Sequence, residues 1–186
     1  PGSSMRFTLS IGKNGMPSES AYAHLFSPLK VGHVTLKNRI VSTGHDTVMA
    51  EDGKVGERLV AYHQARARGG CGLIVVQVAG VHDTARYSSE KLMAHDDTCI
   101  PGYRRLADAV HAHGTVLFGQ LFHPGREIMS SHDGTVPVAY APSAIPNDRF
   151  HVMPRALNRH MIDVFTDAFS ASALRLKQAG LDGCEI

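Results

Sequence analysis

The chain has 186 residues, a formal net charge of +2, and a composition that is 43% hydrophobic and 19% charged. This length is enough for one domain with a sizeable core, and the small, scattered positive charge argues against a nucleic-acid partner. No apolar run approaches the roughly 20 residues that cross a bilayer, and the first residues lack the pattern of a secretory signal. The three cysteines lie far apart and form no CxxC motif, so we expect a reduced, cytoplasmic setting.

The amino-terminal part has little regular pattern. Residues 1–4, which precede Met5, are interpreted as an expression remnant, and residues 5–24 are predicted to be irregular. Residues 25–36 suggest two short extended pieces around a turn at Gly32. Residues 40–43 then predict a first buried strand, which enters a loop at Gly44.

A helical segment followed by a short apolar strand then occurs three times. The helices are predicted over residues 57–68, 102–113 and 159–179, and the strands over residues 73–76, 115–121 and 181–186. Apolar residues with helical spacing should face the core in the last two helices: Tyr103, Leu106 and Val110, then Ile162, Phe165, Phe169 and Leu176. A glycine after each helix suits a left-handed cap. This alternation favours an α/β fold with a parallel sheet.

The count of elements predicts half of a larger barrel. A complete (β/α)8 TIM barrel takes about 250 residues and eight strand–helix units, whereas residues 25–186 supply roughly the first four. A four-stranded half would leave two unpaired edges, which recruit other strands. We therefore expect either a missing C-terminal half-barrel or a second half-barrel copy as the partner, and a homo-oligomer as the assembly.

Residues 119–126 are the most informative stretch. They deliver the amide of Gln120, the imidazole of His123 and the guanidinium of Arg126 at the carboxyl end of a predicted strand, which is the rim where α/β barrels bind ligands. The irregular residues 127–158 should emerge on the same face, and loops of this length are usually functional.

Together these segments resemble the amino-terminal half of the old yellow enzyme family of NADH:flavin oxidoreductases, which includes 2,4-dienoyl-CoA reductases and trimethylamine dehydrogenase. The matching pieces are residues 25–32, 36–41, 67–70, 120–126 and 179–186. The resemblance implies an FMN-dependent oxidoreductase, with non-covalent FMN over the carboxyl mouth of a TIM barrel, NAD(P)H as electron donor and a small-molecule substrate. It also implies a set of flavin contacts: Thr43, Gly44, His45, Asp46, Gly80 and Gln120.

Elementary chemistry agrees with two of these contacts. A carboxamide such as that of Gln120 complements the carbonyl groups and the N–H of a flavin pyrimidine. A glycine such as Gly80 lets the backbone approach a flat ring. The catalytic residues remain unknown, because the family's His-x-x-Asn or His-x-x-His pair and its phosphate-binding elements are expected beyond Ile186, so this chain alone should be inactive. A 4Fe-4S cluster could belong only to a C-terminal part beyond this stretch, and no metal site is predicted here.

The substrate branch stays open. The leading interpretation is hydride transfer through the flavin to the activated C=C of an enone or enoyl thioester. His45 instead resembles N-demethylating relatives, although Asp46 replaces the cysteine that tethers FMN in trimethylamine dehydrogenase, and Val78 stands where an aromatic-box residue would lie. A third interpretation is a non-catalytic half-barrel that needs its missing half.

Overall fold

The structure is a computed structural model that describes residues 22–86, 88, 90–129, 134, 136 and 138–186. The predictions for residues 1–4 and 5–21 lie outside the described residues. Within the described chain, no helix is both long enough and apolar enough to span a membrane.

The centre of the fold is a parallel sheet. The sheet has the strand order β3 (Val41–Ser42), β4 (Leu73–Gly80), β6 (Val116–Phe122) and β9 (Gly183–Glu185). The short strand β5 (Leu92–Met93) pairs with the carboxyl end of β4. All of these pairings are parallel. The predicted α/β class and parallel sheet are therefore confirmed.

In the part of the chain that the structure describes, three α-helices connect the strands: α1 (Glu57–Arg68), α2 (Ile100–His111) and α3 (Arg159–Gln178). In α3 the side chain of Asn158 accepts a hydrogen bond from the Met161 backbone N–H at 2.9 Å, which caps the first turn. Gly70, Gly114 and Gly180 follow the three helices with φ of +101°, +62° and +95°, so the predicted left-handed glycine stops are confirmed.

The two faces of the sheet bury different partners. The outer face presents Ile74 and Val76 of β4 and Leu117 and Leu121 of β6 to the helices. The inner face presents Leu73 and Val75 of β4 with Val116 and Phe118 of β6. The antiparallel hairpin of β1 (Leu29–Val31) and β2 (Val34–Leu36), which turns at Gly32, packs on this inner face, and a face so covered is part of the core.

Two sequence expectations are corrected. Val41 was expected in a buried strand but is 43% exposed, since β3 lies at an edge of the described sheet and has a neighbour only in β4. Ile162 was expected on the core-facing stripe but is 48% exposed, because it lies in the first turn of α3, before that helix reaches the main core. In the same helix Phe165 and Leu176 are buried as predicted.

Several side-chain hydrogen bonds stabilise the amino-terminal rim of the sheet. Lys37 donates from Nζ to the His113 carbonyl at 2.7 Å, and the Thr115 hydroxyl donates to the Cys71 carbonyl at 2.7 Å. Asp182 accepts the Leu117 backbone N–H at 2.8 Å and thereby connects β6 to the start of β9. These contacts hold the strands in register at the end opposite the predicted site.

In the described part of the 127–158 segment, β7 (Tyr140–Ala141) and β8 (Arg155–Ala156) form a two-residue parallel pair. The carboxyl end of β6 leads directly into this segment. Its start and its end therefore both lie near the rim that carries Gln120.

We expect Gly72→Ala to destabilise the fold by about 1–3 kcal/mol, as overpacking of a filled site does. A Cβ at Gly72 would lie 2.4 Å from the Asn38 carbonyl oxygen, a backbone atom that cannot rotate away. Asn38 is also held in place, because its side chain donates to the Gly70 carbonyl at 2.8 Å. Urea unfolding measures the effect. Gly69→Ala is the matched control, since Gly69 has a helical φ of −72°; equal stability of the two variants would contradict the prediction.

Candidate flavin site

Gln120 lies on the inner face of the sheet, close to the carboxyl end of β6. Side chains alternate along a strand, so Gln120 points to the same side as Val116 and Phe118. It pairs in register with Val78 on β4 and with Glu185 on β9. The amide is half-buried, and its Nε2 donates to Glu185 Oε1 at 3.0 Å. A polar group therefore stands at the carboxyl mouth above an apolar interior.

Gly44 lies directly against this amide. A Cβ at position 44 would approach Gln120 Oε1 to 2.8 Å and its Cδ to 3.1 Å. Any larger residue would displace the carboxamide, which gives a packing reason for glycine. The structure thus brings together Gln120 and the loop after β3, although β4 separates their two strands.

His45 is fastened to helix α1. Its Nδ1 lies 3.0 Å from the Thr43 carbonyl, and its Nε2 contacts the Tyr62 hydroxyl. With Nδ1–H donating to the carbonyl, Nε2 accepts from the tyrosine. The Arg66 guanidinium lies 3.3 Å from the centre of the Tyr62 ring, a cation–π contact. Both ring nitrogens of His45 are therefore engaged by protein groups.

The neighbouring His63 is buried at 1% exposure, and neither ring nitrogen has a hydrogen-bond partner in the described chain. Burial is the main cause that lowers the pKa of His63 to about 4, with smaller contributions from Arg66 and His45. This imidazole is neutral and packs as part of the α1 core face.

Asp46 forms an ion pair with Lys91, with the carboxylate 2.6 Å from Nζ. Lys91 is buried at 6% exposure and belongs to the segment just before β5. The next residue, Thr47, donates its backbone N–H to the buried Gln77 Oε1 at 3.1 Å. Both contacts anchor the loop after β3 to the β4–β5 region, and they give Asp46 a structural role.

Gly80 ends β4, as predicted, but the space beside it is filled. A Cβ there would lie 2.7 Å from Met93 Sδ and 3.0 Å from the Ala85 carbonyl oxygen. Close packing of Met93 therefore explains the glycine without a ligand. Contact of Gly80 with a flavin remains a prediction.

His123 connects the ends of β6 and β4. The Gly125 backbone N–H donates to His123 Nδ1 at 3.1 Å, so the other nitrogen, Nε2, carries the proton and lies 3.1 Å from the Thr84 hydroxyl. The Phe165 ring stacks 4.4 Å from the imidazole. Burial and the nearby His82 lower the pKa of His123 to about 4. His123 thus orders the loop in its neutral form.

Arg126 contacts the segment that follows β6. Its Nη1 donates to the carbonyls of Ile145 at 3.0 Å and Pro146 at 3.4 Å. It therefore connects the turn after β6 to the later part of the 127–158 segment.

The sequence did not predict three of the contacts made by the candidate site residues: Gln120 with Glu185, His45 with Tyr62, and Asp46 with Lys91. The two residues of each contact lie 17 or more positions apart in sequence. The contact with Glu185 could have been predicted from strand register, because residues at matching positions near the carboxyl ends of adjacent parallel strands lie side by side.

The arrangement suits a planar ligand with alternating donors and acceptors. Among the described residues, no donor is assigned to Gln120 Oε1, and one of the two protons on Nε2 is not used by Glu185. An amide with one free acceptor and one free donor complements a flavin pyrimidine edge. No group of three or more His, Cys, Asp or Glu side chains in the described ranges is placed to hold a metal ion.

We expect the free energy of unfolding to fall as the pH drops from about 6.5 towards 4, in part because His63 must stay neutral. Its folded pKa, about 4, lies below the ordinary histidine value of 6.5, so the unfolded chain binds the proton first and stability is lost on acidification, by up to about 3 kcal/mol. Urea unfolding at several pH values tests this. His63→Leu should flatten the profile, while His160→Leu, at an exposed site on α3, should not; identical profiles would contradict the assignment.

Comparison with known proteins places this geometry in context. The chain is 40% identical over 162 residues to a metal reductase of Desulforamulus reducens and 37% identical over 172 residues to an N,N-dimethylglycine/sarcosine dehydrogenase of Chromohalobacter salexigens. These matches cover 87% and 89% of this chain but 24% of each relative.

Among solved structures, a morphinone reductase variant in complex with tetrahydroNAD matches with a TM-score of 0.77 and 27% identity. The match covers 86% of this chain and 48% of the morphinone reductase chain. The chain therefore spans a quarter to a half of the length of these proteins. The structural neighbours are TIM barrels of the old yellow enzyme type, so the predicted fold class is confirmed, with the sheet described here as part of such a barrel.

A sequence profile of one family matches residues 24–186, which is nearly all of the described chain. That family comprises oxidoreductases, and flavin and NAD(P)H use go with it. The parallel α/β fold agrees with this match. The chain belongs to the NADH:flavin oxidoreductase / NADH oxidase family.

Proposed function

We propose that the protein transfers hydride from NAD(P)H, through non-covalently bound FMN, to the activated C=C of an enone or enoyl thioester. The observation that carries this proposal is the half-buried Gln120 carboxamide on the inner face at the carboxyl mouth, with the Gly44 loop directly against it. A flavin held there by Gln120 and the Gly44 loop would supply the hydride chemistry.

The residues of this chain hold and orient the ring in this proposal. Gln120 offers an acceptor and a donor to the pyrimidine edge, and backbone groups of the loop formed by residues 43–46 lie beside it. The contacts of His45 with Tyr62 and of Asp46 with Lys91 fix that loop before any ligand arrives. Such preorganisation reduces the ordering cost of binding.

Proton delivery and phosphate binding are proposed to come from residues beyond this chain. The edges of the described sheet, at β3 and β9, would then pair with the remaining strands of the barrel. Alone, residues 1–186 should therefore bind FMN weakly and fail to turn over.

A second candidate is oxidation of an N-methyl amine. The similarity to an N,N-dimethylglycine/sarcosine dehydrogenase favours it, as does His45 at the loop after β3. Two features weigh against it: both His45 nitrogens are engaged by Thr43 and Tyr62, and Val78, which aligns with Gln120 in register, carries no aromatic ring for a cation–π contact. We rank this candidate below C=C reduction.

Anaerobic flavin spectroscopy on the complete gene product tests the proposal. The purified protein should be yellow; NADH or NADPH should bleach the flavin, and an enone or enoyl thioester should restore its colour. Bleaching by an N-methyl amine alone would favour the second candidate. A colourless protein that releases no FMN would contradict both and would support a non-catalytic half-barrel.

Substitution of Gln120 by alanine should weaken FMN binding about tenfold, which corresponds to roughly 1.4 kcal/mol for the lost hydrogen bonds. Titration of the apoprotein, followed by flavin fluorescence, measures the dissociation constant. Gln178→Ala serves as the matched control, because Gln178 is exposed at the end of α3. If both variants bind FMN equally well, Gln120 is not a flavin contact.

A further inference from the structure

The orientation of the Gln120 carboxamide decides what it can recognise. Its oxygen and nitrogen ends have nearly the same shape, so a half-turn about the last side-chain bond exchanges an acceptor for a donor. A ligand with a fixed hydrogen-bonding edge is complemented by one orientation only. Something at the site must therefore select between the two.

Glu185 is placed to make that selection. Gln120 and Glu185 are register partners on β6 and β9, so their side chains leave the sheet on the same face. Gln120 Nε2 lies 3.0 Å from Glu185 Oε1. A carboxylate only accepts hydrogen bonds, so it favours the nitrogen end of the amide and disfavours the oxygen end.

The other end of the amide faces the Gly44 loop. The position of a Cβ at residue 44 lies 2.8 Å from Gln120 Oε1 and 3.3 Å from Nε2, so the oxygen end of the amide is the nearer one. Within the described part of the chain, no cation is paired with Glu185, so its charge is available to the amide. Hydrogen bonds to an ionised group are about twice as strong as neutral ones.

We propose that Glu185 is a positioning residue that sets the orientation of the Gln120 carboxamide and thereby the hydrogen-bonding pattern that the site presents to a flavin. The flavin part of this inference rests on the proposed function, whereas the orientation itself does not. Glu185 acts through Gln120 and is not required to touch the ligand.

The first test is nuclear magnetic resonance of the complete gene product, labelled with ¹⁵N in its glutamine side chains and assigned with Gln120→Ala. The Gln120 amide signals should shift as acidification protonates a carboxylate, and Glu185→Gln should abolish that shift. The control Asp108→Asn, at an exposed site near the far end of α2, should preserve it. A shift that persists in Glu185→Gln would overturn the proposal.

The second test is a double-mutant cycle on FMN affinity. Without Glu185 the amide is free to turn, and only the molecules whose amide has the correct orientation bind FMN well. Glu185→Ala should therefore weaken FMN binding about two- to tenfold, as the fraction of such molecules falls. In a Gln120→Ala background the same substitution should have no further effect. Equal effects in both backgrounds would overturn the role, because they would show that Glu185 acts independently of Gln120.

The two tests separate this proposal from the proposed function. A protein that binds no flavin would contradict the proposed function, while the amide titration would still support or overturn the role of Glu185.

Discussion

The parallel pairing of β3, β4, β6 and β9 is the constraint on which the site depends. Parallel strands place all their carboxyl ends at one rim, so groups far apart in sequence meet there. Gln120 and Glu185 lie 65 residues apart, and Gly44 and Gln120 lie on either side of β4. Asp182 and Lys37 hold the strands in register at the opposite rim. A shift by one residue would turn Gln120 to the outer face.

The loop after β3 shows how structural and functional demands combine. Its side chains make mostly structural contacts: His45 with Tyr62, and Asp46 with Lys91. With the side chains of His45 and Asp46 engaged, the loop leaves its backbone groups, the exposed side chain of Thr43 and the small surface of Gly44 for a ligand.

The high histidine content of this chain does not by itself indicate histidines with a chemical role. The chain has twelve, yet the two with the clearest pKa shifts, His63 and His123, are held neutral by burial. His63 lies on the buried face of α1, and His123 orders the turn after β6 through Gly125 and Thr84. Both therefore have structural roles.

The sequence by itself determined the α/β class, the order of strands and helices, the glycine stops and the placement of Gln120 at a carboxyl end. These follow from local periodicity and from left-handed glycine geometry, which need only neighbouring residues. Only the tertiary structure decided the exposure of Val41 and Ile162, the packing of Met93 against Gly80, and the partners Glu185, Tyr62 and Lys91. Those depend on contacts between distant segments, and no local pattern in the sequence encodes which distant side chain fills a given space.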